Sequence, residues 1–84
     1  MSVEEQFEML GFKLRFDDKE SIAYERKKVS FDFSKKNKDL TIVPQESYGS
    51  IKLNENDIMV IHKQLEELKK IKYKEEIILK KEEK

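Results

Sequence analysis

The chain has no cysteine, one histidine, one proline and two glycines among 84 residues. Without cysteine there are no disulfides, thiolate metal sites or cysteine nucleophiles. The longest apolar run is residues 58–61, far short of the roughly 20 residues that span a bilayer as a helix. The opening Met1-Ser2-Val3-Glu4-Glu5 is acidic and has no apolar core, so no signal peptide is expected there. Net charge is also missing. Eighteen Lys and Arg balance eighteen Asp and Glu, which removes the usual drive toward disorder or bulk nucleic-acid affinity. The expectation is a single small cytoplasmic domain without cofactor or metal. At this size a chain buries roughly 60–65% of its unfolded surface, leaving little room for a deep cavity.

What is present is short-range punctuation. Ser2 and Glu5 form an S-x-x-E capping box, and Val3, Phe7 and Leu10 then recur on one helical face. Gly11 suits a left-handed helix end, with Phe12 placed for the accompanying apolar contact. Phe12, Leu14 and Phe16 alternate with Lys13 and Arg15, the period of a half-buried strand. Ile22 and Tyr24 continue on even positions, whereas Val29, Phe31 and Phe33 fall on odd ones. That switch of parity demands a turn or bulge near Arg26-Lys27-Lys28. Residues 40–43 read as a fourth strand, stopped by Pro44.

Leu53-Asn54-Glu55-Asn56-Asp57-Ile58 marks a second helix start. Asn54 is the N-cap, Asp57 a shortened reciprocal partner, and Leu53 and Ile58 occupy the staple positions. No Gly or Pro follows Glu55, and Ile58, Ile61, Leu65 and Leu68 predict the buried stripe of an amphipathic helix. The pattern gives an α+β domain over residues 1–70: an N-terminal helix, a four-stranded antiparallel meander, and a long C-terminal helix packed on one sheet face. Residues 71–84 form a charged extension that reads as continued helix, although Ile71, Tyr73, Ile77 and Leu79 also alternate as a strand would.

The segment Phe7-Glu8-Met9-Leu10-Gly11-Phe12, then Ile22-Ala23-Tyr24 and Phe31-Asp32, resembles a pattern in small phage- or prophage-encoded proteins of AT-rich Gram-positive bacteria. Residues 58–68 are similar to the closing helix of those proteins. The resemblance covers about residues 5–68, and residues 69–84 depart from it. It implies a small accessory protein and carries no functional residue with it.

No recognised catalytic or nucleotide-binding motif is present. His62 borders the apolar stripe, and Asn56, Lys63 and Glu66 make no catalytic or metal-binding set with it. Asp17-Asp18-Lys19-Glu20 lacks the glycine and regular ligand spacing of a calcium loop and reads as a hairpin turn. Lysines cluster at Lys27 and Lys28 and at Lys35, Lys36 and Lys38, a strip for phosphate binding if adjacent meander turns bring the clusters together. Tyr48, beside Gly49, is a candidate contact residue. Ile77, Ile78 and Leu79 form an apolar group within a charged tail, suited to a protein partner or to a homodimer through the C-terminal helix. The leading expectation is a non-enzymatic protein–protein interaction module. The alternative is weak nucleic-acid binding through residues 27–38.

Overall fold

The computed structural model describes residues 1–45 and 50–71. The elements run α1 (Val3–Met9), β1 (Lys13–Asp17), β2 (Ser21–Arg26), β3 (Val29–Ser34), β4 (Asp39–Pro44) and α2 (Glu55–Lys69), and the four strands form an antiparallel sheet in chain order. The architecture is α+β, as the sequence pattern implies. The closing helix is 15 residues long.

The ends of α1 follow from local chemistry. Glu5 N–H donates to Ser2 Oγ at 3.1 Å, and Ser2 N–H donates to Glu5 Oε1 at 3.0 Å. At the other end Phe12 N–H reaches Phe7 O and Gly11 N–H reaches Glu8 O, the paired bonds of a Schellman motif. Gly11 has φ +90°. A Cβ there would find room, its nearest neighbour being Arg26 Cδ at 3.6 Å. The glycine is therefore required by the backbone and not by space.

A two-residue turn at Lys27 (φ 52°) and Lys28 (φ 61°) joins β2 to β3. Positive φ at both central residues is the type I′ pattern that matches strand twist. It supplies the parity switch between Tyr24 and Phe31. Register then sets two faces. Ile22, Phe33 and Leu40 lie in one row and Tyr24, Phe31 and Ile42 in the next, while Ala23, Asp32 and Thr41 share the opposite face.

β1 departs from expectation. Leu14 pairs with Tyr24 but Phe16 pairs with Ala23, so Arg15 is the extra residue of a bulge. One inserted residue moves the following side chain to the other face. Phe16 therefore falls on the Ala23 face and is 40% exposed, while Leu14 stays on the Tyr24 face of this edge strand and is 36% exposed. Of that expected apolar series, Phe12 alone is buried.

The core is aromatic. Phe7 stacks on Tyr24 with centroids 3.9 Å apart and meets Phe12 and Phe33 edge-on at 5.1 and 5.9 Å. Ile22, Val29, Phe31, Val60 and Leu68 complete the buried cluster, with Val3, Leu10, Leu40, Ile42, Leu53, Ile61 and Leu65 partly buried against it.

The inward side of α2 is Asp57, Val60, Gln64 and Leu68. The stripe through Ile58, Ile61 and Leu65 is thus corrected. Ile61 and Leu65 sit at its rim, and Ile58 is 57% exposed. At 100° per residue the buried side is rotated by about 75° from the stripe read by hydrophobicity. Two polar side chains set that rotation, as described next.

Candidate interaction surfaces

Asp57 joins three elements. Its backbone N–H donates to Asn54 Oδ1 at 2.8 Å, and its Oδ2 accepts from Asn54 N–H at 3.0 Å, so the shortened capping box forms. The same carboxylate takes a two-pronged bond from Arg26, Nη1 to Oδ1 at 2.9 Å and Nη2 to Oδ2 at 2.8 Å. Arg26 Nη1 also donates to Leu10 O at 3.0 Å, and its guanidinium carbon lies 4.2 Å from the Phe12 ring centre. β2, the end of α1 and the start of α2 are thereby tied at one guanidinium. The Arg26 hydrogen bonds hold the Asp57 carboxyl below the ordinary carboxylate range against the opposing effect of burial.

Tyr24 and Gln64 make the second tie, Oη to Oε1 at 3.0 Å, inside the core. Burial raises the Tyr24 phenol well above its ordinary value. A tyrosine and a glutamine placed together in a core hold each other's polar groups. None of Arg26, Asp57, Tyr24 and Gln64 stood out in the sequence as a pair, because the partners are 31 and 40 residues apart.

Replacing Asn54 with alanine removes the cap acceptor and is expected to cost about 0.5–2 kcal/mol. Urea denaturation measures this, and an unchanged midpoint would contradict the capping role.

Two open grooves present apolar side chains. One, of about 380 Å³, has Val29, Phe31, Ile51 and Leu53 along its wall and Lys27 and Lys52 at its rim. The other, of about 510 Å³, runs between the helices and is lined by Met1, Met9, Leu10, Met59, Val60 and Lys63, among others. All three methionines of the chain border it. Met9 and Met59 are 71% and 51% exposed. Lys63 Nζ donates to Gln6 Oε1 across the helix pair at 2.8 Å.

The other sequence candidates are dispersed. Lys27 and Lys28 sit at one end of β3, whereas Lys35, Lys36 and Lys38 occupy the β3–β4 turn at the other. Successive turns of a meander lie at opposite ends of the shared strand, so the two clusters do not meet. Six residues of strand separate them, roughly 20 Å. Lys35 is engaged with the acidic turn, its Nζ 2.6 Å from Asp17 Oδ1 and its N–H bonded to Glu20 O. Asp18 Oδ1 accepts from Glu20 and Ser21 N–H at 2.9 Å each. Those bonds, Ser21's foremost, keep its carboxyl below the ordinary range. No cluster of potential metal ligands occurs among the described residues. His62 is exposed, its Nε2 3.6 Å from Glu66 Oε1. Tyr48, Ile77, Ile78 and Leu79 lie outside the described residues.

No described helix is long and apolar enough to cross a membrane. Compared with known proteins, the chain matches no family model, no curated protein and no solved structure.

Proposed function

We propose that this chain is a non-enzymatic accessory protein of the cytoplasm, an interaction module that binds another protein through the groove between α1 and α2. In this reading α2 lies along one face of the sheet with its Asp57–Gln64 side inward. That leaves Met59 outward beside Met9. The observation that carries the proposal is this collection of exposed apolar side chains along one groove. Methionine is unbranched and polarizable, so it re-packs against varied apolar surfaces. The walls are held by two capped helices and by the Arg26–Asp57 tie, which suits a preformed docking site. The resemblance to small phage-encoded proteins supports an accessory role.

The test is affinity purification of the tagged full chain from its own host, with and without nuclease treatment, beside a Met9→Glu/Met59→Glu variant. A protein partner is expected with the parent chain and about tenfold less of it with the variant, a loss of ~1.4 kcal/mol in binding. Far-UV circular dichroism should show both chains equally folded. Equal recovery from the two would contradict the groove. Recovery of nucleic acid alone, lost on Lys35→Glu/Lys36→Glu/Lys38→Glu substitution, would favour the lysine clusters instead.

A further inference from the structure

The two edges of the sheet are treated differently. β1 carries the bulge at Arg15 and the charged Lys13, Arg15 and Asp17, the devices by which proteins blunt an edge against pairing. β4 pairs with β3 through six uninterrupted positions. Its central residues Leu40-Thr41-Ile42-Val43 carry no charge, and no described strand lies beyond it.

Hydrogen-bond parity identifies which backbone groups on β4 have no ladder partner among the described residues. The two-residue turn makes Arg26 and Val29 a bonded pair, and alternate pairs follow at Tyr24–Phe31 and Ile22–Phe33. Lys35 N–H to Glu20 O, 2.8 Å, continues that series. The groups of residues 30, 32 and 34 therefore turn toward β4 and meet residues 43, 41 and 39. Gln45 N–H to Lys28 O, also 2.8 Å, continues this second series. Leu40 and Ile42 are left with their N–H and C=O directed away from β3. Pro44 falls on the same outward parity, where its missing N–H disturbs no ladder bond.

We propose that β4 is a self-pairing edge, which joins a second copy of this chain antiparallel, with Leu40 opposite the partner copy's Ile42 and Thr41 opposite its own counterpart. Two-fold symmetry about an axis normal to the sheet requires a residue to face itself, because facing residues must share a face. In this register every outward N–H and C=O of Leu40 and Ile42 finds its complement. Pro44 stays outside the bonded centre, and the two threonines form a non-bonded pair of the kind that favours Thr–Thr contact. Half-buried Leu40 and Ile42 gain cover from their counterparts. The inference is independent of the helix groove. A strand pair alone is a small contact, which places the dimer in the weak class.

Sedimentation of the full chain across the micromolar to millimolar range tests it. Thr41 is exposed, so Thr41→Lys and Thr41→Glu leave the domain folded while setting like charges opposite each other. The parent chain is expected to dimerise with rising concentration. Each variant alone should shift the transition by at least about tenfold, and their equimolar mixture should recover it. Parent chains that stay monomeric, variants that dimerise like the parent, or a mixture no better than its components would each overturn the proposal. Because the chain has no cysteine, Thr41→Cys gives an independent readout. Facing Cα atoms in such a pair are about 4.5 Å apart, within disulfide reach. Mild oxidation should cross-link that variant, and a Lys36→Cys control should remain a monomer.

Discussion

Replacing Phe7 with alanine is expected to remove about 3–5 kcal/mol of stability, the range for a large aromatic truncated in a packed core. Phe7 is fully buried, stacked on Tyr24 and edge-on to Phe12 and Phe33. Each such ring pair adds roughly 0.5–1.5 kcal/mol beyond the area it buries. It is also the residue through which a seven-residue helix enters the core, being the buried residue of α1, so the void has few neighbours able to collapse into it. An 84-residue domain holds on the order of 4–12 kcal/mol in total. The variant therefore loses between about a quarter and all of that total. Urea denaturation followed by circular dichroism should show the midpoint fall by about 1–5 M, given slopes of roughly 1–3 kcal/mol/M for small domains. A fall corresponding to less than about 1 kcal/mol would show that Phe7 is not the packing centre.

Asp57→Ala is expected to cost about 3 kcal/mol, the low end for breaking a buried ion pair. The low end applies because the Arg26 side chain keeps 20% exposure while that of Asp57 keeps 2%. The loss comprises the two-pronged bond, the capping contact with Asn54, and an arginine left over Phe12 without its counter-charge. Acid dependence follows from the lowered carboxyl. Its stabilisation is complete above the unfolded value near 3.9 and is lost as pH falls through the lower folded value. The parent chain should therefore lose stability below about pH 4 more steeply than Asp57→Ala does. Glu5 and Asp18, also lowered by backbone hydrogen bonds, leave the variant a residual slope. Chemical denaturation from neutral to acid pH distinguishes the two. Parallel curves would mean that Asp57 titrates alike in the folded and unfolded chain.

How much of this was legible in the sequence depended on range. Both helix starts were readable because a cap is a contact between residues three apart: Ser2 with Glu5, and Asn54 with Asp57. The end of α1 was readable for the same reason, since Gly11 and Phe12 act within one turn. The parity switch at Lys27-Lys28 follows from counting to two. The bulge at Arg15 left no such trace, because Phe12-Lys13-Leu14-Arg15-Phe16 alternates as well as any regular strand and the slip is visible only against Tyr24 and Ala23. The orientation of α2 was misread for a physical reason. Counting apolar residues selects Ile58, Ile61 and Leu65, but two buried polar bonds, Arg26–Asp57 and Tyr24–Gln64, turn the helix toward its polar side. A pairing 31 or 40 residues distant has no local signature. The apparent lysine strip failed similarly, since adjacency in sequence across a meander strand means separation in space.

The functional reading rests on that orientation. With Asp57 and Gln64 inward, Met59 lines the groove beside Met9 and Ile58 is exposed; with the apolar stripe inward, Ile58 would be core. Nuclear Overhauser contacts from the rings of Phe7 and Tyr24 to the side chains of α2 decide the matter in solution. The account predicts contacts from these rings to Gln64 and Leu68 and none to Ile58 or Met59. Strong contacts to Ile58, with Gln64 silent, would contradict it.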